Sequence, residues 1–355
     1  MTTSESRGAV SQQKVPLALV GAGRIAQAYV DVVAASECVE VVAVADVDEA
    51  AAARLARRFG EARSFSSHGA LLDAVEPAGV IIATPPATHG DIALEFMARG
   101  VHVLCEKPLA VDVETAQSMI CAAEKAGVLL TMAAKFRFAE DVTRARHIVE
   151  SGILGDLMLF ENAFTSRVDM SGRWNADPRI AGGGVLIDNG THSVDIARFF
   201  LGPIGEVMAV EGKRTQGLAV EDTVRVFLRS VDDVIGSIDL SWSMDKSLDH
   251  YIAIFGTEGE IRVGWKGSSC RQVSSPEWVS FGKGYDKVGA MGGAVENFCR
   301  AIRGDEPLLI TAEDALASVA VIEQAYASLA ADHWVPVPSG LDQVARTRAR
   351  GGSAA

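Results

Sequence analysis

Residues 15–26 read VPLALVGAGRIA, and this stretch decides the fold of the N-terminal half. The apolar run 15–20 predicts a buried strand, which Gly21 and Gly23 end in a turn that leads into a helix. The pattern is G-x-G-x-x-A. Its first glycine makes the tight turn, its second lets the backbone approach a pyrophosphate, and the small Ala26 allows close packing of helix on strand.

A carboxylate ends the second predicted strand. Residues 39–45 run into Asp46, about 20 residues beyond the glycine motif, which is the spacing of a dinucleotide fingerprint. A carboxylate there accepts hydrogen bonds from the ribose hydroxyls of NAD and repels the extra phosphate of NADP, and neither Val47 nor Asp48 supplies a cation. NAD is therefore the expected cofactor. The residues predicted to bind it here are Gly21, Gly23, Arg24, Ile25 and Asp46.

Strand and helix patterns alternate from residue 15 to about residue 136, which predicts an open parallel sheet. Ligands of such sheets bind outside the carboxyl ends of the strands. The further residues predicted to line the cofactor side are Thr84, Pro85, His89, Glu106 and Lys107. His89 is expected to pack near the cofactor rather than to act as a catalyst. The ammonium of Lys107 is suited to stabilise a developing alkoxide, the alternative being a solvated lysine.

Residues 182–195 read GGGVLIDNGTHSVD and predict a helix that starts after three glycines. Asp188 and His192 are four residues apart, so a helix places them on the same side. An imidazole near carboxylates is suited to proton transfer close to neutral pH. The alternative is a carboxylate–histidine pair on the surface of the protein.

The composition is that of a globular protein, with 48% hydrophobic and 22% charged residues. A net charge of −13 argues against nucleic acid and anionic membranes as partners. Five scattered cysteines without CxxC pairs indicate reduced thiols and a cytoplasmic location, and no apolar run reaches the length of a membrane span. Polar composition predicts disorder in residues 1–14 and 339–355.

Several motifs together resemble the Gfo/Idh/MocA oxidoreductases, relatives of glucose–fructose oxidoreductase and inositol dehydrogenase. They are GAGRIA, the strand-end Asp46, TPPATH, HVLCEKPLA, GGGVLIDNGTHSVD and VEDT. The resemblance implies an α/β protein with an N-terminal Rossmann doubly wound parallel sheet (residues 15–136). An α+β C-terminal domain (137–338) would bind substrate and contain a large open, mainly antiparallel sheet. This sheet would mediate a homodimer or homotetramer.

The resemblance also implies roles for individual residues. Lys107 would touch the substrate and the nicotinamide ribose, Asp188 would orient a substrate hydroxyl, and His192 would be the general acid/base. Asn189 matches a substrate-contact position, and the Lys107–Pro108 peptide is expected to be cis. Lys135 departs from many relatives, which carry asparagine, methionine or another residue there, and it adds a second cation to the predicted substrate site.

The loop 166–179 precedes the helix that carries His192, and Arg173 and Trp174 in it are further predicted substrate contacts. A tryptophan there either stacks on a sugar face or anchors the loop. Five acidic residues suggest an amino-sugar or aminoglycoside substrate. They are Asp169, Asp177, Asp188, Glu221 and Asp222.

The expected activity is oxidation of a secondary hydroxyl of a sugar, cyclitol or amino sugar by NAD, or the reverse reduction. A hydrolase that uses NAD transiently to cleave glycosides and a non-enzymatic dinucleotide-binding regulator remain alternatives. No metal is expected, because Asp188 and His192 have no third ligand at a suitable spacing. Phosphoryl transfer is unsupported, since the chain contains no G-x-x-x-x-G-K-[ST] motif.

Overall fold

The computed structural model describes residues 13–338, so the predicted disorder of residues 1–14 and 339–355 falls outside it apart from residues 13 and 14. The first sheet has six parallel strands, and most of their residues are buried. These strands are β1 Val15–Val20, β2 Val39–Ala45, β3 Arg63–Phe65, β4 Gly79–Ile82, β5 His102–Cys105 and β6 Leu130–Met132. Their spatial order is β3-β2-β1-β4-β5-β6, the doubly wound order of a dinucleotide-binding sheet. The order reverses between β1 and β4, which places the binding crevice at the carboxyl ends of these two strands.

Five helices connect these strands. They are α1 Arg24–Ala35, α2 Glu49–Ala56, α3 His68–Ala74, α4 His89–Ala98 and α5 Val113–Ala126. Helix α5 shows how local sequence sets the ends of a helix. The Asp112 carboxylate accepts the N–H of Thr115 at 2.7 Å, and Gly127 ends the helix at a φ of +66°.

The second sheet has nine strands, and every neighbouring pair is antiparallel except β7 and β10. The strands are β7 Leu157–Thr165, β8 Ile204–Glu211, β9 Thr223–Ser230, β10 Ile235–Ser241, β11 His250–Gly256, β12 Gly259–Gly264, β13 Ser268–Gln272, β14 Ser275–Gly282 and β15 Val335–Pro336. Their order is β14-β13-β12-β11-β7-β10-β9-β8-β15. The predicted fold class, a parallel Rossmann sheet plus a large, mainly antiparallel sheet, is confirmed.

Alternation in β9 separates the two faces of this sheet. Val224, Val226 and Leu228 are buried, whereas Arg225 is exposed. The remaining helices are α6 Glu140–Glu150, α7 Pro178–Ala181, α8 Val185–Leu201, α9 Lys287–Arg303 and α10 Ala312–Ala331. Helices α8 and α10 contact the sheet, and their buried residues share one hydrophobic core with its strands.

The C-terminal helices return to the first sheet. Phe298 of α9 joins the core that contains Leu17 of β1, and Leu316 of α10 joins the core that contains Ile82 of β4. The apolar face of α9 therefore covers the Rossmann sheet, although it lies more than 150 residues beyond that sheet in the sequence.

Candidate functional site

The glycine loop between β1 and α1 has the shape of a phosphate cradle. Gly21 has a φ of +100°, and a Cβ there would lie 2.5 Å from the carbonyl oxygen of Ala83, so the position requires glycine. At Gly23, nothing lies within 4 Å of an added Cβ, which leaves open space above the loop. Helix α1 begins at Arg24 without a side-chain cap on its first N–H groups. These features fit the pyrophosphate of a dinucleotide.

Asp46 follows β2 beside this loop. Its Oδ2 accepts the N–H of Ala22 at 2.6 Å, and its Oδ1 accepts the N–H of Asp48 at 2.8 Å. Each carboxylate oxygen retains a second lone pair, so Asp46 can still accept hydrogen bonds from ribose hydroxyls. Val47 is 94% exposed and offers no cation for an extra phosphate. The carboxylate therefore fits NAD better than NADP.

His89 and Glu106 are buried beside the crevice. The His89 ring lies 2.8 Å from the Pro108 carbonyl oxygen through Nδ1 and 2.9 Å from the Thr84 carbonyl oxygen through Nε2. Burial lowers the pKa of His89, while the two carbonyls and Glu106 oppose this shift. The ring is fully buried and is held between these two carbonyl oxygens. It connects the loop after β4 to the Lys107–Pro108 peptide, which is cis as the resemblance implies.

Glu106 also has protein partners. Its Oε1 accepts the O–H of Tyr29 of α1 at 2.8 Å, and its Oε2 accepts the N–H of Lys107 at 3.3 Å. Thr84 and Pro85, which follow β4, remain half-exposed at the edge of the crevice. The hydroxyl of Thr84 accepts the O–H of Thr88 at 2.8 Å.

Lys107, which follows β5, forms an ion pair with Asp188 of α8. The Lys107 ammonium donates to the Asp188 carboxylate at 2.5 Å and to the Asp188 carbonyl oxygen at 2.8 Å. Their side chains are 16% and 24% exposed, so this ion pair is largely shielded from water. These two hydrogen bonds hold the Lys107 side chain against the first turn of α8.

His192 lies one turn beyond Asp188 on α8. The residue is 9% exposed, and its Nδ1 is buried without a hydrogen-bond partner among residues 13–338. The ring of Phe136 packs edge-on against it at a centroid distance of 5.1 Å. Burial, together with the charges of Lys107 and Lys135, holds the pKa of His192 well below 6.5. The ring is therefore neutral at pH 7, and Nε2 is the nitrogen through which it can exchange a proton with a bound molecule.

The start of α8 is held by the carboxylate of Glu221, one of the five acidic residues that suggest an amino-sugar substrate. Glu221 is buried, and its Oε1 accepts three hydrogen bonds. The donors are the N–H of Gly184 at 2.9 Å, the N–H of Leu186 at 3.1 Å and the O–H of Tyr326 at 2.8 Å. Glu221 therefore caps the helix that carries Asp188 and His192.

The same contacts explain two of the three glycines before α8. A Cβ at Gly183 would lie 2.0 Å from the hydroxyl of Tyr326, and one at Gly184 would lie 2.1 Å from the carbonyl oxygen of Glu221. Any side chain at these positions would push the helix start away from its cap. The close approach was predictable from the glycines, but its partners were not.

Asp195 pairs with an arginine rather than with His192. Arg137 donates to it through Nε at 2.9 Å, and a second guanidinium nitrogen lies 2.7 Å from the other carboxylate oxygen. Both side chains are buried, and Asp314 of α10 lies 3.5 Å from the same guanidinium. This network joins α8, α10 and the turn after β6, and it leaves His192 without a carboxylate partner.

Lys135 begins that turn and has no hydrogen-bond or ion-pair partner within residues 13–338. Its ammonium lies 5.7 Å from the ring centre of Phe136. Burial lowers the pKa of Lys135 to about 8, and the other charges that act on it include Glu106, Lys107 and Asp188. The same Phe136 ring packs against His192, so Lys135 lies beside the site that contains His192.

The five acidic residues that suggest an amino-sugar substrate each have a partner within the protein. Asp169 accepts the O–H of Ser171 at 2.6 Å, and Asp177 pairs with Arg179 at 2.7 Å. Asp222 is buried and its Oδ2 accepts the backbone N–H groups of residues 215 and 216. Since Glu221 caps α8 and Asp188 holds Lys107, each of the five carboxylates already has a partner of its own.

The remaining predicted substrate contacts are Arg173 and Trp174 in the loop before α7 and Asn189 on α8. Trp174 is 43% exposed and Arg173 is half-buried, in the loop before α7. Helix α7 packs on residues 86–88, which brings this loop toward the carboxyl edge of the first sheet. Asn189 is half-buried next to Asp188, and its side-chain amide makes no hydrogen bond within residues 13–338. No direct hydrogen bond joins these three side chains to Lys107 or His192 in that range.

Neither a metal centre nor a membrane span occurs in the described part of the chain. Between residues 13 and 338, no three His, Cys, Asp or Glu side chains are grouped so that they could hold a metal ion. None of the helices there has the length and apolar character needed to cross a bilayer. All five cysteines are free thiols.

Two family models match consecutive parts of the chain. Residues 15–134 match an oxidoreductase family with an NAD-binding Rossmann fold, and residues 142–262 match the GFO/IDH/MocA C-terminal domain. Together they span more than half of the chain.

Individual proteins show the same relationship. The rhizopine catabolism protein MocA of Rhizobium meliloti is 32% identical over 328 residues, which is 89% of this chain and 95% of that protein. Inositol 2-dehydrogenase of Rhizobium meliloti strain 1021 is 26% identical over 91% of this chain and 99% of its own length. A levoglucosan dehydrogenase structure in complex with NADH and levoglucosan shares the fold, with a TM-score of 0.86 and 23% identity over 92% of this chain and 100% of that one. This chain belongs to the GFO/IDH/MocA family of oxidoreductases and has its NAD-binding Rossmann fold.

Proposed function

We propose that this protein is an NAD-dependent dehydrogenase that oxidises a secondary hydroxyl of a sugar or cyclitol, or reduces the corresponding ketone. One observation carries the proposal. Lys107, at the carboxyl end of β5, is bonded to Asp188 on the helix that also presents the neutral ring of His192. A base, a cation for the reacting oxygen and the cradle for a dinucleotide thus share one edge of the first sheet. The names of the relatives, among them levoglucosan, inositol and D-glucoside dehydrogenases, support this substrate class.

Each residue has a distinct role in this proposal. His192 accepts the hydroxyl proton through Nε2, since its Nδ1 is buried. Lys107 donates a hydrogen bond to the reacting oxygen and stabilises its developing negative charge. Asp188 holds the Lys107 ammonium in place. This role adds to the one implied by the resemblance, in which Asp188 orients a substrate hydroxyl. Bound NAD supplies the acceptor for the hydride.

The residues proposed to hold NAD follow the edge of the first sheet. They are Gly21, Gly23, Arg24, Ile25, Asp46, Thr84, Pro85 and Lys107. Glu106 contributes by fixing α1 through Tyr29, and His89 by fixing the loop after β4. Asn189, Arg173 and Trp174 remain proposed substrate contacts on the side of α8.

The amino-sugar or aminoglycoside form of this proposal has lost its main support. It rested on a shared acidic cluster, whereas each of these carboxylates has its own protein partner. Lys107 and Lys135 add two positive charges near His192, and both act to lower its pKa. A cationic substrate would be repelled by these ammonium groups.

The proposal is tested by following the absorbance of reduced nicotinamide with NAD and a panel of sugars, cyclitols, sugar acids and aminoglycosides. We expect net reduction with at least one member that carries a secondary hydroxyl. Bound NAD without net reduction, combined with cleavage of a glycoside, would establish the redox-neutral hydrolase instead. Bound NAD without any reaction on the panel would favour a regulator.

The pH dependence of kcat/KM follows from the depressed pKa of His192. Neutral His192 is the active form, and its folded-state pKa lies well below 6.5, so activity should persist as the pH falls through 6.5 and decline only below it. Lys135→Met removes one of the two cations that contribute, but leaves the larger effect of burial. In the pH profile of kcat/KM, we expect the decline on the acid side to move to higher pH in Lys135→Met but to stay below pH 6.5. An acid limb above pH 6.5 in the wild-type protein would contradict this assignment.

We also propose that two copies associate through the open face of the second sheet. A depression of about 400 Å³ lies on this face, lined by residues that include Leu159, Phe227 and Ile235. Ile235 is 50% exposed there and offers apolar surface that a second copy could cover. Light scattering should give a dimer or tetramer, and Ile235→Glu should shift it toward the monomer. A monomer at all concentrations would refute the association.

The division into an NAD-binding domain (15–136) and a substrate domain (137–338) is likewise proposed, as is a cytoplasmic location. The two family models, which meet between residues 134 and 142, support the division. The return of α9 and α10 to the first sheet means that the proposed second domain also completes the first. Five free cysteines are consistent with a reducing compartment.

A further inference from the structure

We infer that the substrate carries an anionic group, such as the carboxylate of a sugar acid, and that Lys135 binds this group. The inference rests on the proposed dehydrogenase and names the chemical class of its substrate. It would make Lys135 the residue that sets specificity, whereas Lys107 and His192 act on the reacting hydroxyl.

The position of Lys135 supports this role. It follows β6, at the same sheet edge as Lys107, which follows β5. Its ammonium lies 5.7 Å from the ring centre of Phe136, and the same ring packs on His192. The charges that act on the Lys135 ammonium are those of Glu106, Lys107, Asp188 and Lys287. Lys135 in turn helps to lower the pKa of His192. Lys135 is therefore close to the reacting groups without being bonded to any of them.

The partners of the nearby charges leave Lys135 unpaired. Asp188 is engaged by Lys107, and Glu106 is engaged by the hydroxyl of Tyr29 and a backbone N–H. No carboxylate within residues 13–338 forms an ion pair with Lys135. An ammonium that is largely buried and unpaired is costly, and its lowered pKa of about 8 reflects that cost. At neutral pH it is still mostly protonated.

The unpaired ammonium of Lys135 favours an anion. Lys107 already has Asp188 as its counter-ion, whereas no carboxylate pairs with Lys135 within residues 13–338. A neutral sugar would leave the Lys135 ammonium without a counter-ion. A carboxylate within reach of Lys135 would form a charge-assisted hydrogen bond, which is about twice as strong as a neutral one.

Binding to the full-length protein loaded with NADH tests the inference without requiring turnover. The probes are glucuronate, galacturonate and mannuronate, each compared with its methyl ester, and the readout is the change in NADH fluorescence. At pH 7 we expect one acid to bind at least about tenfold more tightly than its ester, in line with a charge-assisted contact. Lys135→Met should abolish this preference and leave the affinity for NADH unchanged, and Lys135→Arg should keep most of it.

Two controls separate a local contact from general electrostatics. Lys125→Met removes one positive charge from an exposed position on α5 and should leave the preference intact. The preference of the wild-type protein should also decline as the pH rises through about 8, where Lys135 loses its charge.

Three results would overturn the inference. The first is that, in every pair, acid and ester bind with equal affinity or neither binds. The second is a preference for the acid that survives in Lys135→Met. The third is a loss of NADH affinity in that variant, which would assign Lys135 to the cofactor. A failure of the proposed function looks different. A protein that prefers acids but reduces no NAD would refute the dehydrogenase and not the Lys135 contact. Net reduction with neutral polyols and no preference for acids would refute the contact alone.

Discussion

Replacing His192 with asparagine should lower kcat by about a hundredfold to ten-thousandfold, the usual contribution of a general base. The expectation follows from the neutral ring of His192, one turn from the Lys107–Asp188 pair. The folded structure should survive, because His192 makes no hydrogen bond to other residues of the range 13–338 and mainly loses its edge contact with Phe136. The measurement is kcat on the best substrate of the panel, together with the affinity for NADH.

A matched substitution controls for the change of residue type. His147 is exposed in the last turn of α6, so His147→Asn should retain wild-type kcat. NADH affinity should be unchanged in both variants. If His192→Asn kept more than about a tenth of the wild-type kcat, a general base would not be acting at this position.

Gly184→Ala should lower both stability and activity. The backbone at Gly184 has a negative φ, so the cost is steric: the new Cβ would lie 2.1 Å from the carbonyl oxygen of Glu221. That oxygen cannot move without shifting the start of β9 or of α8. Overpacking of this kind costs about 1–3 kcal/mol of unfolding free energy. A displaced first turn of α8 would also move Asp188 and Lys107, which should lower kcat on the order of a hundredfold.

Gly292 supplies the matched control. It lies within α9, and an added Cβ there meets nothing within 4 Å. Gly292→Ala should therefore raise the free energy of unfolding by roughly 0.5–1 kcal/mol, as expected for alanine in place of glycine inside a helix. Thermal unfolding and kcat of both variants are the measurements. Equal behaviour of the two variants would show that the contact between Glu221 and the start of α8 is unimportant.

The sequence alone predicts those features of the fold and the site that depend on neighbouring residues. The turn at Gly21 needs a positive φ, and Asp46 ends the neighbouring strand, so both follow from spacing. Asp188 and His192 lie on one helix and share a side because of helical periodicity. The parallel sheet followed from the alternation of strands and helices, and its strand order completes the dinucleotide-binding pattern.

The sequence alone does not predict contacts between segments that lie far apart in the chain. Glu221 reaches the start of α8 from 37 residues away, and Tyr326 reaches Glu221 from 105 residues away. Asp195 lies one turn beyond His192 on the same helix, but Arg137 from another element binds its carboxylate. No local pattern distinguishes a capping or ion-paired carboxylate from a substrate ligand.

Elements with weak patterns are hard to predict from the sequence. Strand β13 has five residues and β14 is largely exposed, so hydrophobic periodicity gives little signal in this hairpin. Helix α9 contains several glycines, which reduce its apparent helix propensity, although its apolar face packs on the first sheet. Tertiary packing stabilises it where local propensity does not.

The most direct test of the central claim is the transfer of hydrogen from substrate carbon to the cofactor. The best polyol of the panel, deuterated at its CH–OH carbons, is incubated with NAD and the wild-type protein, and the reduced cofactor is analysed by mass spectrometry. The proposed dehydrogenase predicts one deuterium atom in each NADH formed, and very little labelled NADH with His192→Asn in the same time. Consumption of the polyol without labelled NADH would contradict the account.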